Sequence, residues 1–312
     1  MLPIFLKTLP FFAIIGLGYL SARSRFFPPE ASALITKFVF YFALSAMLFK
    51  LAATLPIEDL WQPQFLMAYG IASAILYTAM ILIAKARGMD LPMAGFEAHS
   101  GVIGNVGFIG IPMFVPMFGT AAAAPIMMGL SVDLIVFGAL IVVLVEIGRG
   151  TATGLAALRT VLKGLITNPM LISLAAGLTV SITGIGLAEP VDELATILGG
   201  AATPGALFAI GCSLASKSAD ERLGVAIWLS SAKLVLHPAI VAVFVLLVFD
   251  VDPFAAAIII AASALPTAGN VYILAQHYGI GVHRVSATIL CSTVVSVLTV
   301  TLVIGMLGLD IQ

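Results

Sequence analysis

Apolar residues come in blocks of about twenty along this chain, divided by short stretches that carry most of its charge. About twenty apolar residues is the length a helix needs to cross the hydrocarbon of a bilayer, where every backbone N–H and C=O must be bonded internally. The alternating ten-residue pattern of barrel strands is absent. Hydropathy and the Gly, Pro and charged breaks predict ten helical spans, at about 2–20, 33–53, 64–84, 95–118, 124–147, 165–183, 193–214, 223–249, 254–277 and 285–308. The first block holds Lys7 as its only basic residue, so it reads as a retained helix rather than a cleaved leader. The longest connection, from Gly148 to Gly164, is expected to carry a short basic turn.

Composition agrees with that pattern. Of 312 residues 61% are hydrophobic, and only 14 are Lys or Arg and 15 Asp or Glu, for a net charge of −1. A water-facing domain carries roughly 25% charged residues, so the expected surroundings are lipid. With no basic surplus, nucleic acid is excluded as a partner. Cys212 and Cys291 sit in apolar runs and read as small core residues. Loops after the first, third, fifth, seventh and ninth spans hold Arg23, Arg25, Lys85, Arg87, Arg149, Arg159, Lys163, Lys217, Arg222 and Arg284, whereas the other loops and the C-terminal tail hold acidic residues such as Glu58, Asp59, Glu189, Asp192, Asp250, Asp252 and Asp310. By the positive-inside rule this alternation predicts ten helices in a plasma membrane (bacterial inner membrane), with both termini on the outer side.

Five spans per half is an odd number, so a repeat of the first half in the second must be inverted across the membrane, as in many transporters. A shift of 159 residues pairs Pro10 with Pro169, Gly18 with Gly177, Glu30 with Glu189 and Leu48-Phe49 with Leu207-Phe208. The expected units are a first repeat over 1–147, a cytoplasmic connection over 148–164 and a second repeat over 165–312. The fourth span of each half is interrupted: Gly104-Asn105-Val106-Gly107-Phe108-Ile109-Gly110-Ile111-Pro112 in one, Leu265-Pro266-Thr267-Ala268-Gly269-Asn270-Val271-Tyr272 in the other. Mid-helix proline removes a backbone bond and clashes with the preceding turn, and glycine lets the chain leave helical geometry cheaply. Two helices broken at midplane would turn their positive N-terminal ends toward a common cavity, a setting suited to an anion. Asn105, Asn270 and Tyr272 would add polar groups there. Close helix packing at these glycines with plain proline kinks is the competing reading.

Lys7, Lys37, Lys50, Glu97 and Glu146 lie near span ends, within reach of the interface by snorkelling. Asp133, Lys233 and His237 lie deep, where insertion scales put a central Asp or Lys at about 2.5–3.5 kcal/mol each. Lys233 and His237 share one helix face, being four residues apart. A structural Asp133–Lys233 pair is one reading. The other is that Lys233 attracts a substrate anion while Asp133 or His237 takes up a coupling ion, H+ or Na+.

At these residues the chain resembles the auxin efflux carrier family, which includes plant PIN proteins and bacterial carriers described as malonate or malate permeases. The likeness rests on the Gly104–Pro112 run, on Pro266-Thr267-Ala268-Gly269-Asn270-Val271-Tyr272-Ile273-Leu274-Ala275, on Lys233-Leu-Val-Leu-His237-Pro238 and on Phe40-Tyr41-Phe42-Ala43-Leu44. The resemblance implies an all-α membrane fold of five plus five inverted helices, similar to bile acid symporters. It also implies a scaffold of spans one, two, six and seven, and a transport unit of the rest moving by an elevator mechanism. Spans four and nine would cross near Pro112 and Pro266, with Gly107, Gly110 and Gly269 shaping the crossing and Asn105 touching substrate. Homodimers occur in the family. Ser45 replaces the family's span-two proline and would offer a hydroxyl to a carboxylate.

The expected function is therefore a secondary carrier for a small organic anion such as malonate, malate or an auxin-like acid, without cofactor or bound metal. A sodium-coupled symporter of the bile acid type is the rival within transport. A membrane-embedded enzyme or a sensor stands further off, because no P-loop, His-Glu-x-x-His or Gly-x-Ser-x-Gly motif is present.

Overall fold

Every predicted apolar block is helical in the computed structural model, which describes residues 2–150, 154–215 and 223–308. Lys217, Arg222 and Asp310 lie outside the described residues, as does the side chain of Lys7. The helices are α1 (Leu2–Arg23), α2 (Ala33–Thr54), α3 (Pro63–Ala86), α4 (Leu91–Val102), α5 (Val106–Phe118), α6 (Thr120–Arg149), α7 (Gly154–Thr167), α8 (Pro169–Thr183), α9 (Glu189–Ala215), α10 (Leu223–Val248), α11 (Pro253–Ser263), α12 (Gly269–Tyr278) and α13 (Val282–Leu307). Among the described residues six helical stretches are singly long and apolar enough to cross a membrane: α2, the stretch ending in α3, α6, α9, α10 and α13. A seventh candidate is the pair α7 and α8, bent by 66° where Pro169 cannot donate and Asn168 caps the new helix through Oδ1 to the amide of Met170 at 2.9 Å. The remaining predicted spans fall on α1 and on two pairs of short helices, α4 with α5 and α11 with α12.

The connection after Gly148 is not a short basic turn. Much of it is helix, α7, with Arg159 and Lys163 exposed on it.

Helices gather in two groups. In one, α1 packs along α9 and α8 along α2; in the other, α3 packs on α4 and α10, α4 on α6, α11 on α10 and α6, and α13 on α10. Glycine brings the backbones of the first group together. A Cβ on Gly18 would stand 2.2 Å from the Phe208 carbonyl oxygen, and one on Gly177 would stand 2.5 Å from that of Phe49. These two contacts exchange under the 159-residue shift, since it pairs Gly18 with Gly177 and Phe49 with Phe208. Gly211 is tighter still, its Cβ position lying 1.9 Å from the Ile15 carbonyl oxygen. Small residues at such interfaces give the van der Waals contact on which helix association in lipid depends.

The second group is fastened by charge. Glu97 was expected to snorkel, yet it is only 2% exposed and its two carboxylate oxygens take Arg87 and Arg284 from the ends of α3 and α13. Its helix is buried on every side from Ala94 to Val102, so no path to the interface exists and the arginines come to it. Lys50 does reach an edge, where it meets Asp192 at 2.8 Å.

Gly211→Ala should force α1 from α9 and lower stability by about 1–3 kcal/mol. It would register as a drop in thermal midpoint in detergent. Gly16→Ala on α1, where no heavy atom lies within 4 Å of the added carbon, should leave the midpoint unchanged.

Candidate functional site

The two interrupted spans meet where their helices stop. Gly104 faces Thr267 in an isolated antiparallel bridge. Around it the Asn105 amide donates to the Pro266 carbonyl at 2.8 Å, and the Ala268 amide to that of Ile103 at 3.1 Å. A single β-like rung thus replaces the intrahelical bonds that both chains give up. An unpaired backbone group costs several kcal/mol in hydrocarbon, so neither break is tolerable without the other.

Side chains cap the carbonyl ends. Thr267 Oγ1 donates to the Ser100 carbonyl in the last turn of α4 at 2.7 Å, and Lys233 Nζ donates to the Ser263 carbonyl at the end of α11. Ser292 Oγ accepts the Thr267 amide at 3.1 Å. A helix C-terminus carries roughly half a negative charge, so a fully buried ammonium at the end of α11 is well placed electrostatically. Its position also depends on a glycine: a Cβ on Gly104 would lie 3.1 Å from Lys233 Nζ. The negative ends of α4 and α11 are therefore met from within the protein, and the positive ends are the starts of α5 and α12.

Asn105 stands at the start of α5, buried, its carbonyl accepting the amides of Ile109 and Gly110 and its side chain not used as a cap. Asn270, in the first turn of α12, is half-buried, and its Oδ1 is buried with no partner among the described residues. Gly269 beside it faces open space, with nothing within 4 Å of a Cβ position. Gly107 and Gly110 lie in the π-helical turn Val106–Gly110, where added carbons would press on Met170 and Leu265. Tyr272 accepts from Gln276 Nε2 at 3.0 Å on α12. Ser45 gives its proton to the Phe40 carbonyl at 3.0 Å, so its hydroxyl is not free to donate to an incoming carboxylate.

One expectation is corrected. Pro112 is not at the crossing; it sits inside α5, its carbonyl accepting from Thr203 of α9 at 3.3 Å. Gly104 takes the place opposite Thr267, where a Cβ would press on the Lys233 side chain, and the break in this half is made by residues 103–105.

Behind the crossing the deep charges form a chain rather than a pair. Lys233 Nζ lies 3.0 Å from His237 Nδ1, and His237 Nε2 lies 2.9 Å from Ser73 Oγ. Tyr69, one turn before Ser73 on α3, has its ring centroid 5.9 Å from that of His237 and donates to Asp133 Oδ1 at 2.8 Å. All five side chains are at most 3% exposed. The salt bridges among the described residues are those of Lys50 and Glu97, so the direct Asp133–Lys233 pair is not formed. Tyr69, Ser73, Ser100, Ser263, Thr267 and Ser292 carry this architecture and were not singled out by sequence. A signal existed: Tyr69 and Ser73 have the spacing of Lys233 and His237 in the matching span of the other half.

A crevice beside Glu97, Ser100 and Arg284 has no room for a water molecule, and a gap of about 330 Å³ lies between Arg87 and Trp228, away from Asn105 and Asn270.

Comparison with known proteins adds two findings. The sequence model of the family described as "Membrane transport protein" matches residues 3–304. A putative malonate transporter of Rhizobium meliloti (strain 1021) is 30% identical over 298 residues, covering 94% of this chain and 92% of that protein.

Thr267→Val keeps the shape of the crossing but strips a donor from the Ser100 carbonyl, and should cost about 1–3 kcal/mol. Thr78→Val, whose hydroxyl only turns back to the Ala74 carbonyl on an exposed face, should change stability by under about 0.5 kcal/mol. Thermal melts of both variants in detergent would show the difference.

Proposed function

The chain belongs to the membrane transport protein family, the auxin efflux carriers whose motifs it resembles, and on that premise we propose a secondary carrier for a small organic anion. The observation that carries this reading is the asymmetry of the crossing. Its carbonyl ends are capped by Thr267 and Lys233, whereas the N-terminal ends of α5 and α12 keep amides that a helix cannot satisfy by itself. An anion is the complement of two such ends. Asn105 and Asn270 stand at them, and the unpartnered Asn270 Oδ1 implies that its amide can be turned to suit a ligand.

Carboxylates fit best among anions, because both asparagines offer planar donors of matching reach. The relative described as a malonate transporter makes malonate the first compound to try. Ten spans with both termini outside, in a five-plus-five inverted repeat, are supported by the loop charges and by the reciprocal Gly18 and Gly177 contacts. We read α1, α2, α8 and α9 as the scaffold. The rest forms the transport unit, sliding as an elevator with the substrate at the starts of α5 and α12. Each group is tied internally, one by backbone contact at glycine and the other by the Glu97 cluster and the buried chain, which suits motion between them. A plasma membrane location follows from the same reading.

Purified protein should melt later in the presence of malonate, by about 2.7 kcal/mol of stabilisation at a hundredfold excess over Kd. Asn105→Ala and Asn270→Ala should fold yet lose most of that shift. A screen of mono- and dicarboxylates in which no compound stabilises the wild type, or in which both variants respond fully, would count against the site.

A further inference from the structure

The chain of side chains between Lys233 and Asp133 has a direction. Lys233 donates to the Ser263 carbonyl and, through another proton, to His237 Nδ1, which must then be bare. The imidazole proton is left on Nε2 and points at Ser73 Oγ. Tyr69, one turn before Ser73 on α3, has its ring centroid 5.9 Å from that of His237 and donates to Asp133 Oδ1. This run of buried polar groups leads from ammonium to carboxylate, and the far carboxylate oxygen, Oδ2, is buried with no partner among the described residues. A structural ion pair would close this distance or satisfy both oxygens. Here one oxygen is left over, at the end of a wire that begins beside the substrate crossing, because Lys233 Nζ packs against Gly104.

We propose that this wire couples anion transport to protons: Asp133 takes one proton on Oδ2 when an anion sits at the crossing, and releases it when the anion leaves. The proposal rests on the carrier reading above. With the crossing empty, the Lys233 ammonium and the Asp133 carboxylate balance each other across the wire. An arriving carboxylate takes the ammonium as its own counter-charge, leaving Asp133 a buried anion without one. A proton from water then forms an O–H bond at Oδ2 and restores the balance. The proton cancels one charge of the ligand, so a monocarboxylate leaves the net charge of cluster and ligand unchanged and malonate, a dianion, adds one negative charge rather than two, which lowers the cost of moving the loaded form through hydrocarbon.

The titratable groups packed around Asp133 agree with a proton rather than sodium. From α10 come Lys233 and His237, and from α3 come Tyr69 and, a further two turns along, Tyr77. From α4 comes His99, 3.5 Å from the Tyr77 hydroxyl, while Glu97 on the same helix is held by Arg87 and Arg284. From α11 the Ser263 carbonyl is already engaged. Asp133 is the one carboxylate of the wire, and the ammonium in its cluster repels a second fixed cation.

The test uses the full chain in liposomes with malonate. Exchange of labelled malonate across vesicles holding equal concentrations requires the carrier but no net ion flow. Net uptake, with membrane potential clamped and a pH dye inside, measures coupling. Wild type should exchange, should accumulate malonate about tenfold per unit of inward pH gradient, and should acidify the lumen as it does so. Asp133→Asn should retain exchange within about threefold and lose both gradient-driven accumulation and acidification. Tyr69→Phe, which keeps the ring but takes from Oδ1 the donor that stabilises the carboxylate and so leaves Asp133 protonated in both states, should lower gradient-driven acidification at least tenfold with exchange retained. Absence of exchange in wild type would overturn the carrier reading for malonate. Wild-type exchange with accumulation driven by sodium instead, or acidification persisting in Asp133→Asn, would overturn the wire and leave the carrier standing. If Asp133→Asn elutes aggregated, Tyr69→Phe decides, and unchanged acidification in it overturns the proposal.

Discussion

Breaking a helix in hydrocarbon frees backbone groups that no water can reach, and the helices around the crossing are organised around satisfying them. Residues 103–105 and 264–268 leave helical geometry at the same depth, and each supplies what the other lacks: the Asn105 amide for the Pro266 carbonyl, the Ala268 amide for the Ile103 carbonyl. The pairing is two bonds wide, so it needs support from outside. Ser292 and Lys233 provide it from two different helices while Thr267 caps α4 from within the break, and their convergence dictates where α10 and α13 must run. The remaining polar ends are those of α5 and α12, so the solution to a backbone problem also makes an electrostatic site.

Charge at depth follows from the same constraint. Lys233 is tolerated because it answers the carbonyl end of α11, and a side chain at residue 104 would crowd it there. The ammonium then requires a negative partner, which Asp133 supplies across three intervening side chains, His237, Ser73 and Tyr69, instead of by contact. Polar chains of this kind, fully buried, hold their helices in one arrangement because a partial chain would strand protons and lone pairs in a medium of low dielectric. Glu97 with its two arginines does the same at the other end of α3, α4 and α13.

Much of this was legible beforehand, in specific places. The blocks of apolar residues located the helices other than α7, because in lipid the requirement for about twenty such residues is severe. The Gly-Asn-Val runs beside proline located both breaks. Expectations failed where an outcome depended on what lay opposite in space. Pro112 looked like the pivot of the first break by analogy with Pro266, but it continues a helix and bonds to Thr203. Glu97 looked interfacial from its position along the span, but it is enclosed by neighbouring helices. Ser45 looked free, but its own helix claims its proton.

What the sequence determined by itself is the environment, the helices and the points of interruption, since each depends on composition within a single turn or span. Which charges pair, which carbonyls are capped and which polar ends stay open were decided only in three dimensions. Those outcomes depend on contacts between helices far apart in the chain, where a difference of a single hydrogen-bond length separates a satisfied group from one that is costly to bury. Serine, threonine and tyrosine show this most clearly. Scattered and unremarked in the sequence, they become the links that join Asp133 to the crossing.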